Sequence, residues 1–196
     1  MSNISIEQIK KLKELSGVGL TDAKQALVEA DGDFDKALDA MRKKGLTKAE
    51  KRGDRETREG IIESYIHDGR LGAIVEVNCE TSFVAKTDEF KDLAHKIAMQ
   101  IASMNPIYVS EEDIPAEIMS AKMAELESNF KGPENMKEQI LGGQVKKAFS
   151  DKVLLNQPYI LDDSKTVAEF IKDNIAKTGE NITIRQFKRI ELGVTE

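Results

Sequence analysis

The chain has 196 residues, of which 40% are hydrophobic and 33% charged, with a formal net charge of −6. This length suits one domain or two small ones with a buried core, and the composition is that of an ordinary globular protein. There is no apolar run long enough to cross a membrane and no signal-peptide pattern at the start, and a single cysteine excludes an internal disulfide. We therefore expect a cytoplasmic protein with no membrane contact.

The first 45 residues have the pattern of three short helices. Ser5 and Gln8 are spaced as a capping box at the start of the first helix. Glycine-containing turns then separate the helices, and the third is expected to end at Gly45. The predicted core of this small bundle consists of Leu12, Leu15, Leu20, Leu27, Leu38 and Met41. Its architecture resembles a ubiquitin-associated (UBA-like) bundle.

Basic residues are concentrated in the next segment. Residues 41–58 carry eight Lys or Arg against three Asp or Glu. Because this segment has little apolar surface to bury, we expect an exposed charged linker over 46–59. An RNA-binding patch is the alternative and predicts steep salt dependence. The acidic net charge argues against it, and no direct nucleic-acid contact is expected.

Residues 60–196 combine strand and helix patterns. Apolar runs at 61–66 and 71–77 flank Asp68-Gly69, a strong hairpin signal. A helix over 88–103 has a broad apolar stripe that should pack on the hairpin. The last strand, 182–192, should join the hairpin in a small antiparallel sheet, and its alternation slips between Ile184 and Phe187.

Further helices complete this second part of the chain. One should begin after Pro115, another should span 134–141, and a last one should end near Gly179. The pair Gly142-Gly143 is expected to weaken or break the middle helix. The sequence therefore predicts an α+β fold with a helical bundle at 1–45, a linker at 46–59 and a core of antiparallel sheet and helices at 60–196.

The residue types needed for catalysis or metal binding are few. Cys79 would need a base to act as a nucleophile, and His67 and His95 are the only histidines. A lone cysteine near the end of an apolar strand is more often a small core residue. No metal-ligand spacing and no Walker phosphate loop occur in the sequence. We expect a binding protein with no cofactor and no metal, and not an enzyme.

Two stretches closely match signatures of the bacterial elongation factor Ts family. Residues 12–27 (LKELSGVGLTDAKQAL) resemble the first signature, with Lys13 and Ala23 as departures. Residues 76–86 (EVNCETSFVAK) resemble the second and depart at one position, Ser82, where the family usually has Asp. The likeness extends to the closing segment, 179–193. The chain is similar to short members, because its length leaves no room for the second half-core and coiled-coil insertion of longer ones.

The resemblance implies a nucleotide-exchange factor for the GTPase elongation factor Tu. The loop that would dislocate the partner's magnesium comprises Thr81, Ser82, Phe83 and Val84. The N-terminal bundle would contact the GTPase domain through Gly17, Val18, Gly19, Leu20 and Lys24. Composition alone favours burial of Phe83, since large apolar side chains are usually inside. The family role requires the opposite.

Three other interpretations stay open at this point. A non-catalytic adaptor would use the bundle alone, so that Phe83 would be irrelevant. A homodimer could replace the missing second half-core, with the final strand offering an edge for pairing. Finally, an enzyme acting through Cys79 would be revealed by thiol alkylation.

Overall fold

The computed structural model describes residues 4–16, 19–130, 132–133 and 136–194. Its helices are α1 (Ile6–Ser16), α2 (Leu20–Glu29), α3 (Phe34–Glu50), α4 (Ser82–Ala85), α5 (Asp88–Met104), α6 (Ala116–Ser128), α7 (Lys137–Phe149) and α8 (Val167–Thr178). Its strands are β1 (Glu59–His67), β2 (Leu71–Cys79), β3 (Pro158–Tyr159), β4 (Asp162–Thr166) and β5 (Ile182–Glu191). The predicted α+β fold, with a helical N-terminal part and a small antiparallel sheet, is confirmed. Among the described residues, each helix is either too short or too polar to be a membrane-spanning segment.

The chain forms two compact units, each built from three segments. The first comprises Met1–Ile62, Val77–Ala94 and Glu169–Ile184, and the second comprises Glu63–Glu76, His95–Ala168 and Arg185–Glu196. The first unit therefore includes both the helical bundle and the turn after β2. Compactness does not test whether residues 1–45 fold by themselves, so the division at 45 and 59 stays a prediction.

The N-terminal bundle has a core of small and medium apolar side chains. The buried set is Leu12, Ala23, Ala26, Leu27, Ala37 and Met41. The capping box is confirmed, since Gln8 N–H donates to Ser5 Oγ at 3.1 Å and Ser5 N–H donates to Gln8 Oε1 at 2.9 Å. Leu15 and Leu20 were predicted in the core, but they are 48% and 50% exposed. Leu15 lies in the last turn of α1 and Leu20 is the first residue of α2, so both are at helix ends.

The third helix is longer than predicted. It continues through Gly45 to Glu50, so the expected stop at Gly45 is wrong. A single glycine costs a helix about 1 kcal/mol relative to alanine. Residues 46–50 (LTKAE) are mostly good helix formers, and they outweigh that cost.

The three-stranded sheet has the order β1-β2-β5. The predicted hairpin turn is confirmed: Asp68 and Gly69 both have positive φ (50° and 66°), as a tight turn between twisted strands requires. Within the second unit, side chains and backbone of α5 contact β1 and β5. His95 packs edge-on against Tyr65 of β1, and Arg189 of β5 donates from Nε to the carbonyl of Ala102 at 3.0 Å.

The final strand changes its alternation where the sequence predicted a slip. Arg185 and Gln186 are consecutive, yet both are exposed. Both side chains also contact the carboxylate of Glu76, at 3.7 Å from Arg185 Nη1 and 2.9 Å from Gln186 Nε2. After this slip the odd-numbered residue Arg189 faces α5, where the earlier alternation would have placed an even-numbered residue.

The helical pair α6 and α7 departs from prediction in one respect. We expected Gly142-Gly143 to weaken or break the helix, but α7 is continuous from Lys137 to Phe149. Leu141, Val145 and Phe149 are buried on one face of it, on both sides of the glycine pair. Packing of that face stabilises the helix where propensity alone would not. The sequence also did not indicate the small hairpin of β3 and β4.

Candidate functional site

The turn after β2 exposes a phenylalanine. Burial along β2 ends at Cys79, and the chain then enters the one-turn helix α4, Ser82–Ala85. Phe83 is 84% exposed, whereas Ala85 on the same turn is buried. Ser82 and Val84 are half-buried. The expectation from composition that Phe83 packs inward is therefore wrong.

This short helix is capped by Thr81, which in turn is bound by a distant carboxylate. The Thr81 hydroxyl accepts the N–H of Val84 at 3.5 Å. It also donates to Glu180 Oε1 at 2.6 Å, while the Thr81 backbone N–H donates to Glu180 Oε2 at 3.0 Å. Both oxygens of Glu180 are thus engaged with one residue of the turn.

A second carboxylate makes the reciprocal contact. Glu80 Oε1 accepts the backbone N–H of Asn181 at 2.7 Å. Asn181 is 2% exposed, and its amide group donates to the carbonyls of Gly53 and Arg55 at 3.1 and 2.8 Å. Arg55 Nη1 lies 3.4 Å from Glu80 Oε1. The middle of the predicted linker is therefore linked through Asn181 and Glu80 to the turn that carries Phe83.

Sequence reasoning did not find Glu180 and Asn181 as part of this arrangement. The run from Thr178 to Asn181 has the pattern of a helix stop, and Gly179 does end α8 with a φ of 79°. Its one further signal was the likeness of the closing segment to the family. Glu80 was noticed only as a position of the second signature.

The predicted partner surface on the bundle is described in part. Gly19, Leu20 and Lys24 are exposed, whereas Gly17 and Val18 lie outside the described residues. Leu12 of the same signature is fully buried and serves the core. Other exposed apolar side chains of the bundle are Ile6, Leu15 and Val28.

The surroundings of Cys79, the candidate nucleophile, disfavour its reactive thiolate form. Burial, and secondarily the charge of Glu180, raises the pKa of the Cys79 thiol to about 11. The thiol donates to the carbonyl of Thr81 at 3.2 Å and is protonated at neutral pH. His67 and His95 have contacts of their own with Tyr65 and Glu63. Over the described ranges, no cluster of three or more His, Cys, Asp or Glu is arranged to hold a metal.

Three arginines of the basic segment, Arg52, Arg55 and Arg58, have contacts within the chain. Arg52 donates to the carbonyl of Ile175 at 3.4 Å, and Arg58 lies 2.7 Å from Glu56. Arg55 contacts Glu80, as above. These contacts orient part of the basic charge toward the protein's own acceptors.

The comparisons with known proteins agree with the two signatures. The sequence model of the family described as Elongation factor TS matches residues 47–194. The chain is 49% identical over 192 residues to Elongation factor Ts of Thermotoga maritima, covering 97% of this chain and 96% of the relative. It is also 49% identical to that of Syntrophomonas wolfei (97% and 91% covered) and 45% identical to that of Desulfosudis oleivorans (98% and 100% covered). The chain therefore belongs to the elongation factor Ts family, whose members are translation elongation factors and nucleotide-exchange factors, not enzymes in the usual sense.

Proposed function

We propose that the protein binds elongation factor Tu carrying GDP and promotes release of the GDP, so that GTP can bind. The exposed Phe83 on its capped turn is the single observation that carries this proposal. An apolar side chain that stays in solvent costs free energy, and such exposure marks interaction sites when a rigid support presents it. The family membership supplies the kind of partner.

In the proposed mechanism, the turn of Thr81, Ser82, Phe83 and Val84 approaches the magnesium and phosphate end of the partner's nucleotide site. Phe83 inserts there and displaces groups that hold magnesium and the β-phosphate. Magnesium bridged to phosphate contributes much of the affinity for nucleotide, so a small displacement weakens GDP binding. By linkage, GDP weakens binding of the exchange factor by the same factor.

The magnitudes indicate that Phe83 does not act alone. Burying one phenylalanine contributes roughly 1.5 to 3 kcal/mol. Since each tenfold change in affinity requires about 1.4 kcal/mol, this accounts for at most about two orders of magnitude. We infer that the bundle adds the rest by docking on the GTPase domain through Gly17, Val18, Gly19, Leu20 and Lys24. Because these reactions belong to translation, we propose that the protein acts in the cytoplasm.

The test is release of fluorescent GDP from elongation factor Tu in a stopped-flow instrument. The wild-type protein should accelerate release, and Phe83→Ala should lower the maximal rate by roughly tenfold or more. Ile118→Ala is the matched control, since Ile118 is also an exposed apolar side chain (44%) but lies on α6. If wild type and Phe83→Ala accelerate GDP release equally, the proposed mechanism is wrong but the proposed function stands. No acceleration at all would contradict the function and favour the adaptor.

A homodimer remains a separate proposal. In the second unit, isoleucines on the three strands of the sheet are exposed: Ile66 by 70%, Ile74 by 47% and Ile190 by 73%. β5 is also at the end of the strand order, which leaves an edge without a strand neighbour among the described residues. We expect Ile190→Lys to lower the mass in solution. A wild-type protein that is monomeric and still exchanges nucleotide would contradict a role for the dimer.

A further inference from the structure

Glu180 contacts Thr81 with both carboxylate oxygens, across a separation of 99 residues. A carboxylate accepts hydrogen bonds and does not donate them. The Thr81 hydroxyl must therefore give its one hydrogen to Glu180. Its lone pairs are then oriented for the Val84 N–H, which is the cap of α4. By accepting the hydrogen of the Thr81 hydroxyl, Glu180 leaves that hydroxyl free to act as an acceptor for the Val84 N–H.

The helix that Glu180 supports cannot maintain itself. α4 has four residues, far fewer than an isolated helix needs in water. Phe83 is 84% exposed, so its side chain contributes almost no burial that would hold the turn. The backbone of the turn is held instead at its two ends. Thr81 caps the start, and Thr87 donates from Oγ1 to the carbonyl of Val84 at 2.8 Å.

Glu180 is itself held in place. It follows Gly179, whose positive φ ends α8, and its backbone N–H donates to the hydroxyl of Thr178 at 3.3 Å. The next residue, Asn181, is bound by Glu80 and buried. Because Glu180 is held rigidly, it restricts the turn that carries Phe83 already in the free protein. Phe83 therefore loses less conformational freedom when it enters a partner.

We propose that Glu180 is a positioning residue for nucleotide exchange, which holds Phe83 ready for insertion by fixing the hydroxyl of Thr81. This inference rests on the proposed function, because it concerns how Phe83 is presented to elongation factor Tu. Glu180 need not touch the partner for this role.

The decisive experiment combines Glu180→Gln with Phe83→Ala in the same GDP-release assay. Glutamine keeps the size of the side chain but removes its charge, and its amide group can only donate to the Thr81 hydroxyl. The hydrogen bond to that hydroxyl is therefore reversed, loses its charge assistance and occupies a lone pair on the oxygen that caps Val84. We expect the maximal rate to fall by roughly fivefold, with a smaller change in the half-saturating concentration. In the Phe83→Ala background, Glu180→Gln should have no further effect, because there is no phenyl ring left to position.

Two further variants test the route through the hydroxyl. Thr81→Ser keeps the hydroxyl and should retain most of the rate, whereas Thr81→Val removes it and should resemble Glu180→Gln. Amide hydrogen exchange of Val84 and Ala85 in the free protein gives a readout besides activity. We expect exchange at these two amides to accelerate roughly fivefold in Glu180→Gln, with the unfolding midpoint of the chain little changed.

Glu127→Gln serves as the control, since it removes one exposed carboxylate from α6. If the wild-type protein does not accelerate GDP release, the proposed function fails and this inference fails with it. If wild type and Phe83→Ala behave as proposed, two outcomes overturn the positioning role alone. One is a Glu180→Gln rate equal to wild type, and the other is a loss that multiplies with that of Phe83→Ala.

Discussion

Glu80 Oε1 accepts the backbone N–H of Asn181 at 2.7 Å, across a separation of 101 residues. The neighbouring pair repeats the contact in the opposite direction, from Thr81 to the carboxylate of Glu180. Two consecutive residues at the end of β2 are therefore tied to two consecutive residues before β5. This double link joins the turn that carries Phe83 to the turn that ends α8.

Replacing Asn181 should destabilise the first unit. Its buried amide donates to the carbonyls of Gly53 and Arg55. Asn181→Ala loses both bonds, and we expect a fall of about 2 to 3 kcal/mol in the free energy of unfolding. Asn181→Asp should cost more, although it is closer in shape, because a carboxylate oxygen would face a carbonyl. Urea unfolding measures both.

Asn129→Ala is the matched control for this prediction. Asn129 also donates from its amide to a backbone carbonyl, that of Glu125 at 2.9 Å, but it is exposed. Its replacement should change the free energy of unfolding by about 0.5 kcal/mol or less. Equal losses at Asn181 and Asn129 would contradict the assigned role of Asn181.

Restoring the usual family residue at position 82 should raise the exchange rate. Ser82 is the first residue of α4, where a negative charge is favoured by the helix N-terminus by roughly 0.3 to 1 kcal/mol. We expect Ser82→Asp to accelerate GDP release about two- to fivefold, measured with the cognate elongation factor Tu. Ser82→Asn supplies the shape without the charge. An unchanged rate in Ser82→Asp would mean that the charge is dispensable in this chain.

The thiol of Cys79 should react slowly at neutral pH and should link stability to alkaline pH. Its pKa is raised from 9.0 to about 11 by burial first and by Glu180 second. Between these values the folded state binds more protons than the unfolded state, so the free energy of unfolding falls as pH rises from about 9 to about 11. Cys79→Ala should lack this component.

Urea unfolding of wild type and Cys79→Ala at pH 8 and pH 11 checks this prediction. Lysines and tyrosines titrate in both proteins, so the difference between the two proteins reports the contribution of the Cys79 thiol. Rapid alkylation of the native protein by iodoacetamide at pH 7 would contradict the assignment. It would also revive the interpretation of Cys79 as a nucleophile.

Gly142→Ala should stabilise the protein. Gly142 lies inside α7, and a Cβ added there would meet nothing within 4 Å. Alanine removes the conformational cost of glycine in a helix, which is about 0.5 to 1 kcal/mol. Gly60→Ala is the contrasting variant, because its Cβ would overlap the carbonyl oxygen of Val77. We expect this variant to be strongly destabilised. Thermal unfolding of both variants checks the prediction, and a lower midpoint for Gly142→Ala would refute it.

Local patterns in the sequence predicted the elements that depend on local physics. The capping box of Ser5 and Gln8, the hairpin at Asp68-Gly69 and the apolar stripe of α5 each involve neighbours in the chain. Backbone geometry relates such neighbours directly, so spacing is sufficient. The signature around Phe83 identified the family for a different reason, because residue identities in order are specific even when their structural role is not evident.

Other features depended on what lies opposite a side chain, which periodicity does not specify. Leu15 and Leu20 have core spacing but are about half exposed at the ends of their helices. Gly142 lies within a helix because the face around it is packed. The polar strand β4 forms by pairing with β3 and has no apolar alternation to reveal it.

The sequence by itself determined the α+β class, the hairpin, the main helices and the family. Only the tertiary structure decided that Phe83 is exposed and that Glu180 binds Thr81. The physical reason is distance along the chain. Hydrogen bonds between residues about one hundred positions apart exist only once the end of β2 and the turn before β5 are brought side by side.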